Sequence, residues 1–160
     1  MKKKTIASPI GPLAIYEDDK CIVEIKFDEE TKANDTSELL DACEQQLSEY
    51  FKGERSEFSL PVELRGTDFQ KQVWTELRKI PYGKTISYSE LAIRLGDIKT
   101  IRAAGSANGK NKLPILIPCH RVIGKNGSLV GFAGGLYTKK WLLQREGAIP
   151  GEQIDLFPKS

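Results

Sequence analysis

The chain has 160 residues, 39% of them hydrophobic and 29% charged, with a formal net charge of +2. These totals fit a soluble globular protein of one or two small domains. No run approaches the roughly 18 apolar residues of a membrane span, and no apolar stretch follows the basic Met1–Lys4 to make a signal peptide. The cysteines, Cys21, Cys43 and Cys119, are odd in number and form no Cys-x-x-Cys pair, which favours a reducing cytoplasm over a disulfide framework. With a single histidine, they also argue against a zinc site.

The small net charge hides a split. Residues 1–97 carry 14 Lys/Arg against 19 Asp/Glu, whereas residues 98–145 carry nine cations and no acid. An ordinary solvated surface is one explanation. A polyanionic partner for the second half is the more natural one.

In chain order, Lys4–Ala7, Leu13–Tyr16 and Cys21–Phe27 read as strands separated by turns at Ser8–Pro12 and Glu17–Lys20. Apolar side chains at 21, 23, 25 and 27 alternate as in a half-buried antiparallel strand, which puts Cys21 on the core face. Leu39, Leu40, Cys43, Leu47, Tyr50 and Phe51 recur at helical spacing over 37–52, and Gly53 supplies a stop. Residues 54–66 form a linker with an extended piece at Phe58–Leu64. The expected organisation is therefore an α/β domain over 1–60, a linker to about 66, a second domain over 67–150 and a tail over 151–160.

Thr67 and Gln70 make a capping box for a helix burying Phe69, Val73, Trp74, Leu77 and Ile80, which Pro81-Tyr82-Gly83 ends. Ser87 and Glu90 open a second helix, Gly96-Asp97 turns the chain, and a third helix starts near Ile98. Helix, short turn, helix is the helix-turn-helix pattern. Its second helix carries Arg102 and the small residues Ala103 to Ala107, which would admit a duplex or equally another helix. The fold class is α+β, a small antiparallel sheet with a helix followed by a mostly helical, winged-helix-like domain. Gly124–Gly127 reads as a hairpin turn. Gly131–Gly135 lacks the spacing of a phosphate loop. Trp141-Leu142-Leu143 sits on a final helix.

Pro114-Ile115-Leu116-Ile117-Pro118-Cys119-His120-Arg121-Val122 carries the chemistry. Two prolines stiffen an apolar segment that presents a thiol beside a base and a cation. Cys119 is either a buried structural cysteine or a nucleophile, and His120 is the only imidazole able to serve it. Neighbouring side chains on extended backbone point apart, so a turn after Pro118 or a bridging water would be needed. Glu146, the first acid after the acid-free stretch, is the candidate to orient the histidine.

From about Gly66 to Gly147 the sequence resembles the O6-alkylguanine-DNA alkyltransferases, through Pro118–Val122 after Pro114–Ile117, Pro81-Tyr82-Gly83, Ser87-Tyr88, Arg102-Ala103, Gly134-Gly135-Leu136 and Trp141-Leu142-Leu143. The resemblance implies irreversible, stoichiometric transfer of an alkyl group from O6 of guanine, and from O4 of thymine, to Cys119, consuming the protein. It gives His120 and Glu146 a proton relay through water, Asn111 a bracing role, and Tyr88 proton transfer to the leaving base. Arg102, with Ala103, would enter the minor groove and fill the gap of the flipped nucleotide, and Arg121 would be a further DNA contact. Pro114, the Val122 carbonyl, Phe132 and Ala133 would line the base pocket. The partner implied is double-stranded DNA holding the lesion, bound with little sequence preference by a monomer without cofactor or metal. Phe132 and Ala133 stand where some members have Tyr and Ser, so no side-chain hydroxyl reaches the lesion there. A lesion-binding module that leaves the alkyl group in place, and a turning-over cysteine hydrolase, are the alternatives.

Overall fold

The computed structural model describes residues 1–27, 32–129, 132 and 134–149. The chain opens with three strands, β1 (Lys2–Ile6), β2 (Leu13–Asp18) and β3 (Cys21–Phe27), joined as an antiparallel meander in the order β1-β2-β3. The register places Ile15 opposite Ile25 and Leu13 opposite Phe27, so the apolar side chains of neighbouring strands share a face. A shift between Tyr16 and Glu17 breaks the simple alternation, leaving both Ile22 and Val23 buried and Cys21 half-buried rather than in the core.

Helix α1 (Glu38–Phe51) packs Leu40, Cys43, Leu47, Tyr50 and Phe51 inward. Ser37 caps it by accepting from the Leu40 amide, and Gly53 leaves it with φ +79°. The following linker is not loose. Its backbone lies along β3, with Ile22 N donating to Pro61 O at 2.9 Å and Glu63 N to Ile22 O at 3.1 Å. Ile25 N likewise donates to Lys112 O at 2.9 Å, so the free edge of the sheet also holds the segment that leads to the cysteine.

The second half is helical. The expected capping box is present at Thr67 and Gln70, opening α2 (Asp68–Leu77); Ile80 is buried but lies beyond the helix end. Then come α3 (Tyr88–Arg94), capped by Ser87, a 3-10 turn at Ile98–Thr100 and α4 (Ile101–Gly109). Ala104 and Ala107 of α4 face the core, where the Ala107 carbonyl accepts from Trp74 Nε1 at 2.9 Å. Arg102, Ala103 and Ser106 remain exposed. The small residues thus serve both packing and an open face. Helix α5 (Leu136–Arg145) closes the domain.

Two expectations are corrected. The stretch from Pro114 is not extended: Ile115 has φ +75°, and Ile117 N donates back to Leu113 O at 2.8 Å, curling it into a compact loop. Gly124–Gly127 does turn, through Asn126 at φ 63°, but the strand before it, β5 (Val122–Ile123), pairs in parallel with the two-residue strand β4 (Ile86–Ser87). No hairpin partner is found among the described residues. The short parallel pair ties the start of α3 to the end of the cysteine segment. One apolar cluster, from Ile6 and Leu13 through Tyr50 and Trp74 to Leu142, runs through both halves of the chain.

Gly66 marks how tightly the linker meets α2. A Cβ there would lie 2.6 Å from Gln70 Oε1 and 2.7 Å from the Trp74 ring. Gly66→Ala is expected to cost about 1–3 kcal/mol by overpacking, seen as a lower urea midpoint with an unchanged slope.

Candidate active site

Cys119 opens a 3-10 turn, Cys119–Arg121, that follows Pro118 directly. Cys119 N donates to Ile117 O at 2.8 Å and Arg121 N to Pro118 O at 3.0 Å. The turn expected after Pro118 is therefore present, and it changes the geometry that an extended segment would impose on Cys119 and His120. Both are buried.

The centre of the site is the Glu146 carboxylate, at the C-terminal cap of α5. His120 Nε2 lies 2.7 Å from Oε2. Arg121 grips both oxygens, Nε donating to Oε1 at 2.8 Å and Nη2 to Oε2 at 3.0 Å, while Nη1 donates to Ile80 O at 2.6 Å. The Tyr50 hydroxyl, from α1, donates to Oε2 at 2.5 Å. Burial alone would raise the Glu146 pKa, but His120 and Arg121 outweigh it and hold the carboxyl down to about 2. Burial lowers the His120 pKa, only partly opposed by Glu146. An ionised carboxylate can only accept, so the imidazole proton sits on Nε2. Nδ1 is then an acceptor; it is buried and has no hydrogen-bond partner among the described residues.

Arg121 departs from expectation. It is buried on Glu146 rather than turned outward to phosphate. A cation next to a reactive histidine in sequence is equally suited to either role, and the sequence pattern offers no means of choosing.

Around the sulfur, burial pushes the Cys119 thiol up to about 11, against the Asn111 amide and the Lys139 ammonium, which both favour the thiolate. A thiol so held is protonated at neutral pH and reacts only if a base takes its proton. Asn111 ties the loop together: Nδ2 donates to Ile117 O at 2.8 Å, and Oδ1 accepts from Leu113 N at 3.0 Å. Asn108 of α4 donates to Cys119 O at 3.4 Å, and its side chain also reaches the Tyr88 hydroxyl. Burial and the nearby Cys119 raise the Tyr88 pKa, so that hydroxyl keeps its proton.

Lys139 was not among the sequence candidates. It is fully buried, donates to the Val122 carbonyl at 2.6 Å, and lies 5.9 Å from the Tyr88 ring centroid. Burial lowers its pKa to about 8. Its place three residues into the helix after Gly135 reads as a surface lysine in sequence, and only the fold turns it inward. Tyr50 and Asn108 were missed for the same reason: each lies far in sequence from the groups it touches. Of the expected base-pocket residues, Pro114 and Val122 are buried, and the Phe132 ring packs edge-on against Phe27 at 5.6 Å. Ala133 lies outside the described residues. Arg102 and Ala103 occupy the exposed face of α4, and Gly105 of that helix faces the Tyr88 ring.

Two family models together match nearly the whole chain. One is the 6-O-methylguanine DNA methyltransferase DNA-binding domain, over residues 68–148; the other is the ribonuclease-like domain of the same proteins, over residues 1–64. The chain belongs to the 6-O-methylguanine DNA methyltransferase family. It is 45% identical over 141 residues to the constitutive methylated-DNA–protein-cysteine methyltransferase of Bacillus subtilis, covering 81% of this chain and 85% of that protein. It is 40% identical over 148 residues to the methyltransferase of Methanosarcina acetivorans, covering 88% and 95%. The crystal structure of Mycobacterium tuberculosis OGT in complex with DNA superposes with a TM-score of 0.85 at 40% identity, over 98% of this chain and 99% of that one. The family match spans both halves, which accords with the two-part α+β fold.

The ionisation of the site sets its response to acid. His120 is held neutral, so its contribution to stability is complete above the ordinary value of 6.5 and declines below it. Glu146, ordinarily 4.5 and here about 2, contributes fully above 4.5 and loses that contribution as pH falls toward 2. The urea midpoint is expected to decline as pH falls below 6.5 and to fall further below 4.5; equal midpoints at pH 7 and pH 4 would contradict this assignment.

Proposed function

We propose that this protein repairs DNA by direct reversal, with Cys119 taking an alkyl group from O6 of guanine and keeping it as a thioether. The observation that carries the reading is the burial of Cys119 beside a His120–Glu146 pair, with the imidazole polarised by a carboxylate and its other nitrogen an acceptor without a partner among the described residues. Family membership and the DNA complex of a relative support it.

The reaction then runs as a displacement. His120 Nδ1 takes the thiol proton through water, and Glu146 balances the imidazolium that results. The sulfur attacks the alkyl carbon, a C–S bond forms as the C–O bond breaks, and the Tyr88 hydroxyl assists delivery of a proton to the departing guanine, the proton lost by the thiol making up the balance. Lys139 and Asn111 lie where they would ease the charge on sulfur. The thioether has no leaving group that water can displace, so each molecule acts once.

A base inside a duplex must leave the stack to reach a buried sulfur, at a cost of a few kcal/mol. Arg102, exposed on the second helix of the helix-turn-helix, is the side chain placed to fill the gap from the minor groove. Flanking cations of the acid-free stretch supply contacts to phosphate, which carry affinity without sequence preference. Val122, Pro114, Phe132 and Ala133 would line the pocket, and O4 of thymine is a second substrate atom. We further place the protein in the reducing cytoplasm as a monomer. The three free thiols, one of them the acceptor, support the location.

The test is intact mass after incubation with duplex DNA holding O6-methylguanine. A gain of one methyl on Cys119 and no further turnover is the expected result. A folded protein that binds this DNA and gains nothing would be a lesion-binding module, and repeated turnover would mean a hydrolase; either overturns the proposal. In the same assay Cys119→Ser loses transfer but retains DNA binding. Arg102→Ala slows repair of the duplex about tenfold or more while attack on free O6-benzylguanine changes little.

A further inference from the structure

We propose that Tyr50 is a positioning residue for the alkyl-transfer reaction, a hydroxyl that the amino-terminal lobe inserts into the relay to hold the Glu146 carboxylate for His120. The proposal rests on the reading of Cys119 as acceptor.

Tyr50 lies near the end of α1, 96 residues from Glu146 in sequence, yet its hydroxyl reaches Oε2 at 2.5 Å. The ring is fixed on three sides, its centroid 5.6 Å from that of Phe51, 5.5 Å from Phe58 and 6.3 Å from Tyr82. A side chain so confined has little freedom to look elsewhere, and the bond is buried. Tyr50 also stays a donor: burial and the adjacent carboxylate raise its pKa.

The consequence follows from the shared acceptor atom. Oε2 receives from Tyr50, from His120 Nε2 and from Arg121 Nη2. Each donor draws on the same negative charge, so each weakens the pull on the others. Arg121 does this with a full charge; Tyr50 does it with a neutral hydroxyl and brings no net charge to His120. Removing the hydroxyl leaves a more basic oxygen facing the imidazole. That favours the imidazolium, and the neutral base needed to take the thiol proton becomes scarcer at a given pH. The other ionisable groups facing this cluster are Arg121 on the cysteine turn, Tyr82 and Arg145 beside the carboxylate, Lys139 from α5, and Cys119 itself. Tyr50→Phe changes none of them and keeps the ring.

The experiment measures the single-turnover rate of methyl transfer from duplex DNA as a function of pH, for the unsubstituted protein, for Tyr50→Phe and for the protein with 3-fluorotyrosine at position 50. Fluorination makes the hydroxyl a stronger donor. Tyr50→Phe is expected to move the acidic limb of the profile up by about half a unit or more, a roughly threefold loss below neutral pH that recovers in alkali. The fluorinated protein is expected to move it down. A limb that stays in place, or a rate lowered equally at every pH as a packing role would give, overturns the proposal. If the phenylalanine variant does not fold, the fluorinated protein decides alone, and an unmoved limb overturns the proposal. No transfer by the unsubstituted protein would instead overturn the alkyl-transfer reading, and this inference with it.

Discussion

A buried carboxylate is costly unless it is fully paired, and the Glu146 carboxylate is paired on every side. It accepts from His120, Arg121 and Tyr50, which come from the cysteine turn and from the helix of the other lobe. Removing it would leave a buried guanidinium with, among the described residues, the Ile80 carbonyl and the Tyr82 ring, and an imidazole without orientation. Much of the remaining structure serves to bring these groups to one point. Pro118 starts the turn, Asn111 fastens the loop before it, and the edge of β3 holds the backbone at Lys112.

This arrangement separates storage of the acceptor from its use. Burial keeps the thiol protonated, which spares it from the oxidants and electrophiles that attack thiolates. The means of activation stand nearby: the free acceptor nitrogen of His120, and the Lys139 ammonium that weakens the cost of a negative sulfur. A protein consumed by one reaction gains from a nucleophile that is quiet until the alkylated base is in place. In the proposed reading helix α4 links this chemistry to DNA. Its inner side, Ala104 and Ala107, is clamped to the core, Asn108 reaches the cysteine turn, and Arg102 stands exposed near the other end.

The elements defined by local signals were legible in the sequence. The Thr67/Gln70 capping box, the Ser87 cap and the stop at Gly53 lie where side-chain chemistry alone would put them. The His120–Glu146 pairing was also readable, because the lone histidine has few partners and Glu146 ends an acid-free run. What was hidden depends on distant contacts. Nothing near Ile86 announces a two-residue strand paired with Val122, and Ile115 takes a left-handed backbone that its β-branched side chain disfavours. Lys139, Tyr50 and the inward Arg121 share one cause. Each is a residue type usually found at the surface or in an ordinary core, and tertiary packing recruits it to an ionised centre.

The central claim is that one ionised carboxylate fixes the tautomer of His120 and so leaves Nδ1 free to act as the base. Because the chain has a single histidine, nitrogen-15 NMR of the imidazole reports on that side chain without ambiguity. Nε2 is expected to be protonated and Nδ1 unprotonated at neutral pH in the resting protein. A proton on Nδ1, or an imidazolium at that pH, would contradict it.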